Sequence, residues 1–478
     1  MKVLGFLIGL EEEDIPFCME DEVISLIQPF SVQHMFIPEE TIEYKTVKGY
    51  TTTGFSIIFL SCRYNKKIFW AQGYVINKGN LTDEYYETFD SLKFSGEAID
   101  IFFPPKRILN YEPVNGKSTQ NRMHSISAKP FNEISKCYDL CINSVPHKLK
   151  LSINYVQDLK QHSRQIGEVK SNIIITPETA QSIENISDYY LYALDFFRFV
   201  NYRNNIRFDK IELIKDNMIV CNVSIFTRNF NNNYTRTKYN SIVFEDISEH
   251  LDKLFSNIAV RREKNIFDDM YLPNSDEDFK SVDYIKYLSC ALSFEGEFQR
   301  CCKSKFDTNE LFNHTKTQFS NLINDVEKKV LDNNRILSEI KQELDNAIID
   351  YKEEQLKLLS KKKAKRIESY FDNFKNTLDK VDFTLEEKFN FMIRSYNDIF
   401  NEMISHICSK YSFEEPQNSN LGKIFSDMRN KIGHGNPTKI EEEHVLTFQL
   451  ARCMIYVLIL DSSEIEHVRI LEILKKMF

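Results

Sequence analysis

The 478-residue sequence is poor in glycine and proline, with 13 and 12 residues, and it has a single tryptophan. It contains no G-x-x-x-x-G-K stretch, so a phosphate-binding loop of that type is absent and ATP hydrolysis is not expected. Hydrophobic residues make up 42% and charged residues 27%, which excludes a wholly disordered chain. At about 150 residues per domain, the length predicts two or three domains.

The sequence also lacks an excess of positive charge, because 70 acidic residues outnumber 61 basic ones. This excludes a protein that coats nucleic acid through a broad basic surface, but it leaves a local basic site open. The ten cysteines include no C-x-x-C pair, and no second pair accompanies Cys137 and Cys141. We therefore expect buried free thiols in a reducing compartment, with no metal site and no cofactor.

Long apolar runs are missing as well. The N-terminal stretch MKVLGFLIGLEEED has no small-residue cleavage site, so a signal peptide is not expected. The longest purely apolar run in the C-terminal half, Cys453–Leu460, is too short to span a bilayer. These features predict a soluble, cytoplasmic protein without a membrane partner.

Short apolar or alternating runs dominate the first part of the chain and predict a β-rich N-terminal domain over residues 1–270. One helix is predicted between Ser187 and Val200, where apolar side chains recur at helical spacing. The predicted strands are Thr53–Cys62, Ile68–Ile76, Ser95–Pro105, Ser171–Glu178, Ile206–Ile214 and Met218–Phe226.

The composition changes at residues 271–281, where proline, asparagine and acidic residues indicate a linker. Beyond it the apolar period becomes helical and predicts an all-α bundle over residues 282–478, with a long charged helical insertion around 325–380. The expected fold class is therefore α+β multidomain. The predicted helices are Tyr284–Cys302, Leu385–Ile407, one that starts near Leu421, Glu441–Leu460 and Ser463–Met477.

Basic side chains cluster within the charged insertion. They could form a solvated helix face, or a patch that attracts the backbone of RNA, and the run alone does not decide between the two. The residues of this candidate RNA-binding cluster are Lys361, Lys362, Lys363, Lys365 and Arg366.

An arginine, an asparagine and a histidine stand close together in the stretch SDMRNKIGHGNP near the C-terminus. The predicted helix ends here, because Gly433 and Gly435 can adopt left-handed dihedral angles and the following proline prevents continuation. Arg429, Asn430 and His434 are therefore expected at an exposed helix end. The structural alternative is a helix stop with Arg429 in a surface salt bridge.

This set of residues suits RNA cleavage without a metal ion, in which the 2′-hydroxyl of the substrate is the nucleophile. Histidine is the residue type that most often transfers protons in catalysis, so His434 can take the hydroxyl proton. Arg429 keeps its charge and offers a fork of donors that matches phosphate oxygens. Asn430 can orient the histidine or donate to the phosphate.

The stretch RNKIGHG resembles the R-N-x-x-x-H motif of the HEPN superfamily, whose members are helical bundles that include many metal-independent ribonucleases. The details resemble the ApeA-type branch, in which a β-rich N-terminal domain precedes the HEPN domain and a helix similar to YLSCALSFEGEF opens it. The strong part of the resemblance covers roughly Val282–Phe478.

The resemblance implies that Arg429, Asn430 and His434 form the catalytic set. It also implies a homodimer or a higher homo-oligomer, and a role in bacterial anti-phage defence through cleavage of RNA, with transfer RNA a candidate target. Glu295 and Glu297 on the opening helix are candidate supporting residues. The alternative for either glutamate is packing beside a helix cap or a lysine.

The leading hypothesis is an endoribonuclease that the N-terminal domain restrains until an infection signal, such as a phage-derived protein, arrives. The main alternative is a HEPN module without catalysis that binds RNA or a protein. An interaction scaffold built on the charged helices explains the basic cluster but leaves the arginine–histidine motif unexplained.

Overall fold

The structure of the chain is a computed structural model. The α+β multidomain prediction is confirmed, because a large antiparallel sheet in the N-terminal part precedes a C-terminal helical region. The structure describes residues 2–27, 40–66, 68–77, 87–113, 124–129, 134–142, 144–157, 167–226, 240–264, 266–307, 317–318, 321–322, 324–325, 328, 384–416 and 420–478.

Within these residues, one antiparallel sheet contains 12 strands in the order β11-β12-β13-β8-β15-β16-β6-β5-β4-β1-β2-β3. Two further pairs, β9 with β10 and β7 with β14, are also antiparallel. The strands are β1 Lys2–Leu7, β2 Ile15–Glu20, β3 Val23–Leu26, β4 Ile42–Thr51, β5 Ser56–Asn65, β6 Ile68–Asn77, β7 Thr88–Phe89, β8 Ser91–Ser95, β9 Leu109–Pro113, β10 His124–Ala128, β11 Lys136–Ile142, β12 Val145–Gln157, β13 Gly167–Pro177, β14 Gln181–Ser182, β15 Lys210–Lys215 and β16 Met218–Ile225.

The helices of the described residues lie mainly in the second half of the chain. They are α1 Glu97–Phe102, α2 Ile186–Asn201, α3 Phe244–Ile247, α4 Leu251–Glu263, α5 Asp276–Lys280, α6 Tyr284–Asp307, α7 Leu385–Ser395, α8 Asn397–Tyr411, α9 Leu421–Gly433, α10 Glu442–Asp461 and α11 His467–Met477. Short 3₁₀ turns occupy Pro105–Ile108, Ile183–Asn185 and Phe267–Asp269.

The first six strands curl around a small core of their own, because β3 comes back close to β6. In β6, Phe69 and Ala71 are buried and alternate with the exposed side chains of Ile68 and Trp70, as the period of a strand requires. The ring of Phe59 in β5 lies 5.3 Å from the ring of Phe69, edge to face.

The predicted strand Ser95–Pro105 is wrong, because its central part forms helix α1. Its apolar run fits a strand as well as a helix, but Ala98, Ile99 and Phe102 are the buried residues, which is a helical spacing. The Asp100 carboxylate accepts a 2.8 Å hydrogen bond from the backbone of Ser171 in β13. The local sequence pattern fits a strand and a helix equally well, and the tertiary contacts favour the helix.

Helix α2 lies between the sheet and the helical bundle, and almost all of its surface is buried. The ring of Phe196 lies 5.4 Å from Phe102 and 5.0 Å from Phe255 of α4. Near the other end, Phe199 stacks on Tyr456 of α10 at 4.5 Å. The predicted helix 187–200 is confirmed, and it joins the two halves of the molecule.

Helix α10 is the centre of the bundle, and every residue from Leu446 to Leu460 is buried. It contacts α6, α8, α9 and α11. Among the described helices, it is the one long and apolar enough to cross a membrane, but 83% of its apolar window is buried inside the protein. Its neighbouring helices therefore cover the surface that lipid would contact in a membrane span.

The predicted helix Leu385–Ile407 is two helices, α7 and α8, which meet at Tyr396. This residue has φ −120° and ψ 43°, and its hydroxyl donates a 2.6 Å hydrogen bond to Asp461 at the end of α10. Burial raises the pKa of Tyr396, and the bond to Asp461 raises it further, so the hydroxyl stays a donor.

Residues 271–281, which the sequence indicates as a linker, are packed against both halves. The backbone N–H of Tyr271 donates to Ser293 in α6 at 2.8 Å, and the ring of Phe279 lies 5.8 Å from Tyr202 at the end of α2. The main hydrophobic core continues from the sheet through this segment to Phe478. The division into domains 1–270 and 282–478 stays a prediction.

Candidate active site

Helix α9, which carries the arginine–histidine motif, begins close to the predicted position. The side chain of Asn420 caps it and accepts a 3.1 Å hydrogen bond from the backbone of Lys423. At Gly422 the helix approaches α7 so closely that a Cβ atom would lie 2.6 Å from the carbonyl oxygen of Glu386. Phe425 then packs on Phe389 of α7, with ring centroids 4.9 Å apart.

The end of α9 explains why the motif contains a glycine after the histidine. The backbone of Gly435 donates to Ile432 at 3.0 Å, and that of Asn436 donates to Lys431 at 2.9 Å. These two bonds form a Schellman motif, in which Gly435 has the left-handed φ of +74°. Gly433 has no positive φ and no atom within 4 Å of its Cβ position, so of these two glycines only Gly435 is needed for the helix stop.

Arg429 lies at the edge of the bundle, with 34% of its side chain exposed. Nη2 is 3.5 Å from Oε2 of Glu295 in α6, and Nη1 donates to Oδ1 of Asn430 at 3.2 Å. Nε is buried and has no hydrogen-bond partner among the described residues. The guanidinium group is thus directed by two neighbours but keeps donor capacity for a further acceptor.

Asn430 and His434 are both exposed at the same end of α9. His434 is the C-cap residue, and its backbone N–H donates to the carbonyl of Asn430 at 2.9 Å. His434 is five positions after Arg429, which corresponds to a rise of about 7.5 Å along a helix. The structure brings Arg429 and Asn430 into contact and leaves the His434 ring open to solvent, without a contact to Arg429 among the described residues.

The two candidate glutamates of α6 have different surroundings. Glu295 faces the motif and contacts Arg429, as described above. Glu297 is buried and points to the other half of the molecule, where it contacts Arg261 of α4 at 3.2 Å and Arg300 at 2.7 Å. The structure therefore brings Glu295 to the candidate site and places Glu297 in an ion pair between the two halves.

Lys388 is a residue of the site that the sequence analysis missed. It lies in α7 with 3% of its side chain exposed, and Nζ is 3.8 Å from Oε1 of Glu295. A signal for it is present in the sequence, because Leu385, Lys388, Phe389 and Met392 occupy the buried stripe of α7. A lysine in such a stripe needs a partner that compensates its charge. Glu295 lies beside this lysine, which is the alternative that the sequence analysis gave for the glutamate.

The surroundings of the motif contain charges of both signs. Lys423 and Lys431 are exposed on α9, and acidic residues open α10. His444 accepts a 3.0 Å hydrogen bond from the backbone of Glu441, and burial lowers the pKa of His444. Because the accepting nitrogen is Nδ1, the proton of the neutral ring is on Nε2.

The basic cluster Lys361, Lys362, Lys363, Lys365 and Arg366 lies outside the described residues. Within the part of the chain that the structure describes, no group of three or more His, Cys, Asp and Glu side chains is arranged to hold a metal ion.

The site therefore offers an exposed imidazole, a partly exposed guanidinium and an amide at one helix end. An imidazole can exchange a proton with a bound hydroxyl, and a guanidinium can hold a phosphate. Comparisons with protein-family models, with curated proteins and with solved structures find no match for this chain.

Proposed function

We propose that this protein is a HEPN-type endoribonuclease of the ApeA kind that cleaves RNA without a metal ion and acts in bacterial anti-phage defence. The observation that carries the proposal is the end of α9, where Arg429 contacts Asn430 and the His434 ring is exposed about one helical turn further on. Glu295, from the helix that opens the bundle, directs the guanidinium group.

In the proposed reaction, His434 takes the proton of the 2′-hydroxyl and the 2′ oxygen attacks the adjacent phosphorus. The bond from phosphorus to O5′ breaks, its electron pair stays on O5′, and that oxygen takes up a proton from water. Arg429 binds the phosphoryl oxygens and stabilises the charge that builds on them. The products are a 2′,3′-cyclic phosphate and a free 5′-hydroxyl. Transfer RNA is the candidate substrate.

The proposed homodimer would cover an exposed apolar stripe on α6. Ile285 is 78% exposed and Leu292 is 53% exposed, and residues seven apart lie on one face of a helix. Glu295 follows Leu292 by three residues, so this stripe leads directly to the candidate site. Leu292→Glu is expected to shift the protein toward monomer in light scattering. The control is Val468→Glu, at a 71% exposed position of α11, which is expected to leave the oligomeric state unchanged.

The N-terminal half would act as the sensor that restrains the nuclease in the bacterial cytoplasm until a phage-derived protein or another signal arrives. It is joined to the bundle by the buried ion pair between Arg261 and Glu297, so a change in one half can reach the helix that carries Glu295. It also has a cavity of about 420 Å³ between β6, β15 and β16, lined in part by Tyr74, Tyr190 and Phe208.

Expression in a bacterium tests the proposal. The full-length protein, His434→Ala and the control His467→Ala are expressed, growth is followed, and the ends of cellular RNA are analysed. His467 is a suitable control because it also lies at a helix end, where its Nδ1 is 3.0 Å from Oδ2 of Asp398. Once phage infection supplies the signal, we expect growth arrest and cyclic-phosphate ends with the unchanged protein and with His467→Ala, and neither with His434→Ala.

If all three proteins behave alike and no cyclic-phosphate ends form, even when phage infection supplies a signal, the nuclease proposal is wrong. The non-catalytic module that binds RNA or a protein is then the better hypothesis. Melting curves must show that His434→Ala is folded, because an unfolded variant is inactive for a trivial reason.

A further inference from the structure

Lys388 occupies a position where a lysine is unexpected. Helix α7 buries one side, and Lys388 lies on it between Leu385 and Met392, with 3% of its side chain exposed. A buried ammonium group is costly unless an anion compensates it. The Glu295 carboxylate lies 3.8 Å from Nζ, so it provides that compensation.

Glu295 uses its two oxygens for two different cations. Oε1 faces Lys388 of α7 and Oε2 faces Arg429 of α9, while Glu295 itself belongs to α6. Both separations, 3.8 Å and 3.5 Å, are longer than the 2.7–2.9 Å of a tight charge-assisted hydrogen bond. Arg429 is therefore oriented by the carboxylate without being saturated by it.

A carboxylate beside a phosphate-binding arginine has an unfavourable side, because it repels the phosphate and competes with it for the guanidinium group. With Lys388 present, the three charged groups carry a net single positive charge. Without Lys388, the charges of Glu295 and Arg429 cancel. The ammonium group therefore favours the binding of an anion in this part of the site.

We propose that Lys388 is a positioning residue of the Arg429–His434 site. It holds and neutralises the Glu295 carboxylate, so that Glu295 can orient Arg429 without blocking phosphate binding. This inference rests on the proposed function. It adds to the site a buried lysine from α7, a helix that does not carry the motif.

The main test uses full-length protein purified from phage-infected cells, bulk transfer RNA for cleavage and a 2′-O-methylated oligonucleotide for binding. We expect Lys388→Met to raise KM and to weaken oligonucleotide binding by about tenfold, with kcat changed much less, because His434 is untouched. Lys388→Arg, which keeps the charge, is expected to retain most of the affinity.

The double variant Lys388→Met/Glu295→Gln is decisive. Removing the carboxylate restores a net positive charge, so KM is expected to return close to that of Glu295→Gln alone. If Lys388→Met cleaves with an unchanged KM, or if the double variant is worse than the product of the two single effects, the inference is overturned while the nuclease proposal stands.

A second measurement separates this inference from the proposed function. If the wild type neither cleaves nor binds RNA, the proposed function fails, and melting temperatures still test the link between Lys388 and Arg429. We expect Lys388→Met/Arg429→Ala to lose more than the sum of the single losses, because Glu295 then keeps neither cation. Strictly additive shifts would overturn the inference.

Discussion

Arg452 of α10 and Arg429 of α9 are both held by the helical bundle, but one is enclosed and the other is open. Arg452 is 1% exposed, and Nη1 donates to Gln449 at 2.7 Å. Its guanidinium carbon lies between 4.4 and 5.5 Å from the centroids of four aromatic rings, those of Phe279, Tyr202, Phe478 and Phe448. Arg429 has no such enclosure, and 34% of its side chain reaches solvent.

The difference shows what separates a structural arginine from a candidate functional one in this fold. Arg452 also donates to the hydroxyl of Tyr202, whose pKa is raised by burial, and its Nη2, which has no hydrogen-bond partner among the described residues, is buried as well. Arg429 has one loosely held carboxylate and a side chain that is about one-third exposed, so its terminal nitrogens can donate to a ligand from solvent. Donors that remain available are what a phosphate needs.

The largest expected effect on stability is at the enclosed arginine. Arg452→Ala removes a buried cation and leaves a void among aromatic rings, so we expect a loss of about 3–5 kcal/mol of unfolding free energy. Urea denaturation measures it. Arg429→Ala, at a partly exposed site, is the comparison and is expected to cost about 1 kcal/mol or less. Similar losses for the two variants would remove the distinction between them.

The next effect is at the buried ion pair between the two halves. Glu297→Gln leaves Arg261 and Arg300 without their carboxylate and is expected to cost about 1–3 kcal/mol. Glu472→Gln is the control, because its pair with Arg469 lies on the surface and is expected to contribute less than about 0.5 kcal/mol. An equal effect of the two changes in urea denaturation would show that Glu297 does not tie the halves together.

The smallest effects distinguish the two glycines at the end of α9. Gly435→Ala places a Cβ at φ +74° and is expected to cost about 1–2 kcal/mol. Gly433→Ala meets no atom within 4 Å and is expected to be neutral or slightly stabilising, since alanine favours a helix. Melting temperatures check both variants. The assignment of the Schellman motif is wrong if the two glycines respond alike.

Much of the bundle could be predicted from the sequence. The periods of α6, α9 and α10 are strong, and the glycine after His434 correctly marked the end of α9. The break at Tyr396 could not be predicted, because the residue that bonds its hydroxyl there, Asp461, is 65 positions away in sequence. Strands β1–β4 and β8–β12 were missed, and α1 was predicted as a strand, since long-range pairing decides such segments.

The candidate site was predictable only where the residues are neighbours in sequence. Arg429, Asn430 and His434 share one helix end, so their proximity follows from helical geometry. The contact of Glu295 with Arg429 depends on how α6 packs against α9, and the sequence alone treated Glu295 and Glu297 alike. Lys388 comes from a third helix, and only packing brings it to Glu295.

The central claim is that the open end of α9 cleaves RNA, and the most direct measurement is an end-group analysis with purified full-length protein. Transfer RNA is incubated with the unchanged protein, with Arg429→Ala and with His434→Ala, each purified from phage-infected cells, in the presence of a metal chelator. The account predicts 2′,3′-cyclic phosphate and 5′-hydroxyl ends with the unchanged protein, and a loss of at least about 100-fold in rate with either variant. Equal cleavage by all three proteins, or cleavage that leaves 3′-hydroxyl ends, would contradict it.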